Sequence, residues 1–327
     1  MNDAITIAEV EAAAARLEGV VVRTPLLQNA ELDLAAGGRV LVKPECFQRI
    51  GSFKIRGAYN LMRQLSPRQA RRGVVAWSSG NHAQGVALAG KLLGIHAAIV
   101  MPADAPRSKL ANTRSFGGEV ITYDRFSEDR EAIARRIAAE RGAELVPSFD
   151  HPHIIAGQGT VGLEIAEQSQ DLGLAVDQVL FCCGGGGLTS GSAVALKARC
   201  PDVTIYAVEP AGFDDTMRSL QTGQRARVDP GARSICDALL TESPGRLTFE
   251  IMRRLVAGGL VVTEQEVKAA MRFAFRNLKL VAEPGGAVAL AAVLSGKIDT
   301  ADKTTAIVIS GGNVDADLFA SIQTERT

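Results

Sequence analysis

The chain has 327 residues, 46% hydrophobic and 22% charged, which suits a soluble globular protein of two domains, or one large α/β unit carrying an insertion. Basic and acidic residues balance at 36 each, so there is no electrostatic footprint for nucleic acid or an acidic membrane surface. No apolar run reaches transmembrane length, and five cysteines without a CxxC pair point to a reduced, cytoplasmic compartment.

The N-terminal stretch carries acids rather than a basic region, so it does not read as a signal peptide. Thr6 and Glu9 fit a capping box at the start of an amphipathic helix. Short apolar, β-branched runs predict strands at 40–42, 74–77, 97–101, 119–123, 179–183, 203–208, 260–262 and 306–309. Helical patterns lie between them, including 81–93, 129–141, 188–198 and 264–278. Ser66-Pro67-Arg68-Gln69 and Thr263-Glu264-Gln265-Glu266 are good helix starts. The alternation predicts parallel sheets covered on both faces. Residues from about 73 to 146 read as one strand–helix unit that a larger domain could hold as an insertion.

Glycines cluster close behind apolar runs, in Ser78-Ser79-Gly80-Asn81, Gly184-Gly185-Gly186-Gly187, Glu283-Pro284-Gly285-Gly286 and Ser310-Gly311-Gly312-Asn313. Ligands of open α/β sheets bind at the carboxyl ends of strands, so these clusters could ring one crevice. The tetraglycine joins an apparent strand to an apparent helix. Its bare N–H groups and the positive helix end make an anion cradle, with a tight packing turn as the plainer alternative. A nicotinamide site competes. Its third glycine would fall on Thr189 or Ser190, although Glu209 stands where the ribose-binding acid would be.

Lys54 lies in Gly51-Ser52-Phe53-Lys54-Ile55-Arg56-Gly57-Ala58, at a helix start for which Ser52 is a reasonable N-cap. A cation in the first turn is electrostatically awkward, and the same field lowers its pKa. A neutral amine is what Schiff-base chemistry needs; a solvated surface lysine is the ordinary alternative.

Ser-Phe-Lys-Ile-Arg-Gly-Ala, Ser-Ser-Gly-Asn-His, Gly-Gly-Gly-Gly-Leu and Ser-Gly-Gly-Asn, in that order, resemble the fold type II pyridoxal phosphate (PLP) enzymes. The nearest resemblance is to the threonine/serine dehydratases (ammonia-lyases) and serine racemase, and it runs from Thr24 to Ser310. It implies a tryptophan synthase β-like α/β fold, with two open parallel-sheet domains and the active site between them. The large domain would comprise 1–70 and 149–327, with 71–148 inserted as the small one, in a homodimer. Lys54 would hold PLP as a Schiff base and later move the Cα proton, with Phe53 against the ring. Asn81 would bond the phenolic oxygen, Gly184, Gly185, Gly186, Gly187 and Leu188 the phosphate, and Ser310 the pyridine nitrogen. Ser78, Ser79, Asn81 and His82 would surround the substrate carboxylate, and Ser79 occupies the place of the racemase's second acid/base. His82 reads equally well as a structural hydrogen-bonder. His151 and His153 read as loop and helix-start residues rather than metal ligands.

A neutral hydroxyl at the pyridine nitrogen suits β-elimination. The resemblance therefore implies conversion of L-threonine, L-serine or an analogue to a 2-oxo acid and ammonia. Racemisation and 3-hydroxyaspartate dehydration are alternatives in the same family, and a nicotinamide oxidoreductase is a distant one. Glu209, the Phe213 carbonyl and Asp215 match a divalent-cation turn of the racemase and dehydratase branch, which would take Mg²⁺, Mn²⁺ or Ca²⁺; a solvated acidic turn is the alternative. Where many dehydratases read Ile-Ala-Asp-Gly, this chain has Ile235-Cys236-Asp237-Ala238. Arg246 could meet an anionic substrate group, though a surface residue at a helix start is the preferred reading. The chain ends soon after Ser310, so isoleucine inhibition through a C-terminal regulatory domain is not expected.

Overall fold

The computed structural model describes residues 5–105 and 107–325; the first four residues of the acidic N-terminal stretch lie outside them. The strands are β1 (Leu27–Gln28), β2 (Arg39–Pro44), β3 (Val74–Trp77), β4 (Ala97–Pro102), β5 (Glu119–Tyr123), β6 (Glu144–Leu145), β7 (Gln178–Cys182), β8 (Thr204–Pro210), β9 (Gly258–Val262) and β10 (Thr304–Ile309). They form a six-stranded sheet of order β1-β2-β10-β7-β8-β9 and a four-stranded sheet of order β5-β4-β3-β6. All pairings are parallel except β1 with β2. Every residue of β4, β7 and β10 is buried, as expected where helices cover both faces of a parallel sheet.

The predicted helix starts hold. Ser66 and Gln69 cap reciprocally, as do Thr263 and Glu266. Two local expectations are corrected. The helix from Glu264 stops at Phe273 and continues as a π turn over Ala274–Leu278. Ser52 does not cap the next helix, which is Lys54–Met62 with Phe53 at the cap position. The Ser52 backbone instead bridges to Gly311, and its buried hydroxyl has no partner among the described residues.

That bridge positions the site. The Phe53 N–H donates to the Ser310 carbonyl at 3.2 Å, and the Gly312 N–H to the Gly51 carbonyl at 2.9 Å. The loop before Lys54 is thereby stitched to the carboxyl end of β10. β10 lies beside β7, so Ser310 and the tetraglycine emerge side by side. From the other sheet, the helix Asn81–Leu93 packs against Lys54–Met62. A methyl group at Gly85 would lie 3.2 Å from the Lys54 carbonyl oxygen, so the absent side chain lets the two helices meet.

Candidate active site

Lys54 is the first residue of its helix, and its Nζ donates to the Ser148 carbonyl at 2.9 Å. The ammonium stands 5.1 Å from the centroid of the buried Phe53 ring. Burial pushes the amine down to about 8, against the charge of Glu283, which favours the protonated form. The position is an enclosed, acidified amine rather than a solvated lysine.

Two residues later, Arg56 explains how this helix start is held. Its Nε and Nη2 donate to the Glu45 carboxylate, both at 2.8 Å. Its Nη1 and Nη2 reach Glu164 at 2.6 and 3.0 Å, and Nη1 also reaches Thr160. Lys43 donates to Glu164 at 2.5 Å. Two cations and two carboxylates therefore balance inside the fold, with the guanidinium fork matched by acceptors. Glu45 raises the guanidinium pKa further, against its burial.

Gly184–Gly187 turn from β7 into the helix Gly187–Arg199. Gly186 takes φ of 90°, and a methyl group at Gly185 would lie 2.3 Å from the Phe149 ring. The bare backbone is thus a packing requirement as well as an open cradle. Leu188 is buried in the first turn of that helix, where N–H groups lack intrahelical acceptors. Ser310 is buried at the end of β10, close to Cys182, whose thiol donates to the Gly286 and Val308 carbonyls. The loop carrying Ala238 and Leu239 packs over both glycine clusters: a methyl group on Gly184 would lie 3.3 Å from it, and one on Gly285 3.1 Å.

On the facing loop, Ser78 Oγ accepts the Gly80 N–H at 3.2 Å. Ser79 is half-buried, and its hydroxyl has no hydrogen bond among the described residues. Asn81 accepts from Asn313 Nδ2 at 2.7 Å and donates to Glu283. His82 is buried, with Nε2 2.9 Å from the Val146 carbonyl. A carbonyl only accepts, so Nε2 carries the proton. Burial, and then the nearby Lys54 charge, push the ring down to about 3. This neutral ring ties its helix to the end of β6, and its Nδ1 has no partner among the described residues.

Sequence reasoning missed three residues here. Glu283 is buried against Asn81; Lys109 pairs with Asp237 and lies 3.9 Å from Glu283. Lys109 comes from the helix Arg107–Ser115 and is only 4% exposed. The third, Arg56, stood in the motif without an assigned partner.

At the end of β8, the buried Glu209 carboxylate accepts the N–H groups of Thr216 and Met217, both at 2.8 Å. Asp215 is also buried, and its Oδ2 has no partner among the described residues. Burial pushes Glu209 up to about 8 and Asp215 to about 7, and the Asp215 charge adds to the Glu209 shift. Buried, mutually repelling carboxylates with an unpartnered oxygen fit a cation. No group of three or more His, Cys, Asp or Glu side chains that could hold a metal ion occurs among the described residues; a backbone carbonyl, as at Phe213, and water would complete the shell.

Arg246 is exposed. Its backbone N–H, with those of Leu247 and Thr248, is capped by Asp150. His151 caps its own helix by accepting the His153 N–H at 3.1 Å. All three are helix-start residues.

The enclosed lysine, the glycine cradle at a helix start and the hydroxyl at the end of β10 fit a phosphate-bearing aldehyde cofactor. Comparison with known proteins agrees. The family model described as pyridoxal-phosphate dependent enzyme matches residues 17–311. The chain is 44% identical over 310 residues to an L-threo-3-hydroxyaspartate ammonia-lyase of Pseudomonas sp, covering 95% of this chain and 96% of that protein. It is 43% identical over 318 residues to an L-threonine ammonia-lyase of Thermotoga maritima, covering 97% and 78%. The structure of maize serine racemase superposes with a TM-score of 0.92 at 39% identity, covering 97% of this chain and 96% of that one. The chain belongs to the pyridoxal-phosphate dependent enzymes, in their fold type II.

Proposed function

We propose that this protein is a PLP-dependent ammonia-lyase that converts a 3-hydroxy amino acid to a 2-oxo acid and ammonia. L-Threonine, L-serine and 3-hydroxyaspartate are the candidate substrates. The observation that carries the reading is the Lys54 amine, enclosed beside the Phe53 ring and shifted to about 8. The names of the Pseudomonas and Thermotoga relatives support the same chemistry.

When bound, PLP supplies an electron sink that acidifies the Cα–H of an amino acid. The chain's own residues then divide the work. The N–H groups of Gly184, Gly185, Gly186, Gly187 and Leu188 would hold the phosphate. Asn81 would donate to the ring oxygen, and Ser310 would meet the ring nitrogen with a neutral hydroxyl. Phe53 supports the Lys54 side. Ser78, Ser79 and the backbone N–H of Asn81 would bind the substrate carboxylate, and His82 fixes the loop that presents them. Lys54, neutral in useful amount near pH 8, takes the Cα proton.

A panel of L-threonine, L-serine and L-threo-3-hydroxyaspartate, assayed for ammonia and 2-oxo acid, tests the proposal. Equal release of both products from at least one substrate is expected; release from none sinks it.

One observation favours a second reading, racemisation. The Ser79 hydroxyl has no competing bond among the described residues, and the likeness to serine racemases makes it the candidate second proton donor. Chiral analysis of serine after incubation separates the two activities.

Finer parts of the proposal are a divalent cation at Glu209, the Phe213 carbonyl and Asp215, supported by the raised carboxylates, and a cytoplasmic homodimer. No helix among the described residues is long and apolar enough to cross a membrane. The two separate sheets support domain limits of 1–70 with 149–327, and 71–148.

A further inference from the structure

Asn81 has an amide that could sit either way round. Asn313 settles one side: its Nδ2 donates to the Ile50 carbonyl and to Asn81 Oδ1, both at 2.7 Å. Glu283 settles the other, because its Oε1 accepts from Asn81 Nδ2. An ionised carboxylate only accepts, so the amide nitrogen must face it. One Asn81 N–H is then used and one remains.

Glu283 is itself held with little freedom. It is 1% exposed. Its own N–H donates to the Gly311 carbonyl at 3.0 Å, and a methyl group on Gly311 would lie 2.3 Å from Oε1. Glu283 Oε2 has no hydrogen bond among the described residues but lies 3.9 Å from the Lys109 ammonium. Charged groups face this carboxyl from three elements: Lys109, Asp237 and Lys54. The Cys46 and Cys182 thiols lie in its field.

We propose that Glu283 is the positioning residue for Asn81, orienting its amide so that the remaining N–H serves the cofactor's ring oxygen, with Lys109 holding Glu283 ionised. This inference rests on the reading that Lys54 carries PLP. A carboxylate acceptor strengthens the donor that Asn81 offers. Its charge also favours the protonated form of Lys54. Burial raises Glu283 to about 7, while Lys109 pulls it down. The pair therefore makes the ring-oxygen contact sensitive to pH in the working range.

The test uses the holoenzyme and two variants, Glu283→Gln and Lys109→Met, with the visible band of bound PLP titrated against pH. Wild type is expected to show an inflection near pH 7. In Glu283→Gln the cradle is intact, so PLP stays bound but the inflection disappears. The kcat falls about tenfold, the effect of losing one charge-assisted hydrogen bond, while KM changes within about twofold. In Lys109→Met the inflection moves to higher pH, because the cation that favours ionised Glu283 is gone. An unchanged titration and kcat in Glu283→Gln overturn the proposal. If that variant does not fold, an inflection that stays in place in Lys109→Met overturns it instead. Wild type that binds no PLP at all refutes the functional reading, a failure seen before any variant is made.

Discussion

Lys54 illustrates how much chemistry one position supports. The fold encloses the amine at a helix start, and burial takes it from an ordinary 10.5 to about 8. The sign is that of a cation penalised by burial: the neutral, nucleophilic form dominates above about 8 and declines below it. The rate at which apoprotein develops the visible PLP band is therefore expected to rise through pH 8 and level off. A rise that continues to pH 10 would show an unshifted lysine. The glycine cradle gives a second residue-scale expectation. Gly185→Ala places a methyl 2.3 Å from the Phe149 ring, and such overpacking typically destabilises by about 1–3 kcal/mol. The variant is expected to melt earlier and to retain less PLP on dialysis. Lys54, the tetraglycine and Ser310 are legible in the sequence because each sits in a short contiguous motif. The roles of Glu283, Lys109 and Arg56 are not, because they depend on contacts between segments far apart in the chain. Nothing local distinguishes Lys109 from a solvated lysine.

Among the elements, the eight strands expected from apolar runs all appear, with ends shifted by a residue or two. β1 and β6 do not announce themselves, since two-residue strands carry no periodicity. The Lys54 helix is legible in the sequence, but its first turn is not. Ser52 has the chemistry of a cap, yet the bridge to Gly311 takes its backbone elsewhere. What secures this helix is Arg56, tied to Glu45 after β2 and to Glu164 on the helix Pro152–Asp171. Arg56→Met would leave two buried carboxylates facing Lys43 alone. Breaking such a network by removing one partner costs about 3–5 kcal/mol. A lowered denaturant midpoint is expected, with PLP retained at low temperature; an unchanged midpoint would show that the network contributes nothing to stability.

At the scale of the molecule, the proposed active site lies where the two sheets contribute to one seam. The six-stranded sheet supplies the cradle and Ser310, and the four-stranded sheet supplies Ser78 through His82. Lys109 crosses the seam to Asp237. Asp237→Asn removes that pair's charge, so amide hydrogen exchange over 107–115 is expected to quicken while β2 and β10 keep their protection. Equal exchange throughout would show that the pair does not hold the units together. Topology of this kind is legible only in outline from the strand–helix alternation. Strand order and the faces that meet depend on pairings that no local pattern encodes.

The central claim, that Lys54 holds PLP and drives elimination, is tested most directly by borohydride reduction followed by peptide mapping. The account predicts one pyridoxyl group, on the peptide containing Lys54, with ammonia release abolished in proportion to labelling. A label on another lysine, or a protein that takes up no PLP and keeps its activity, would contradict it.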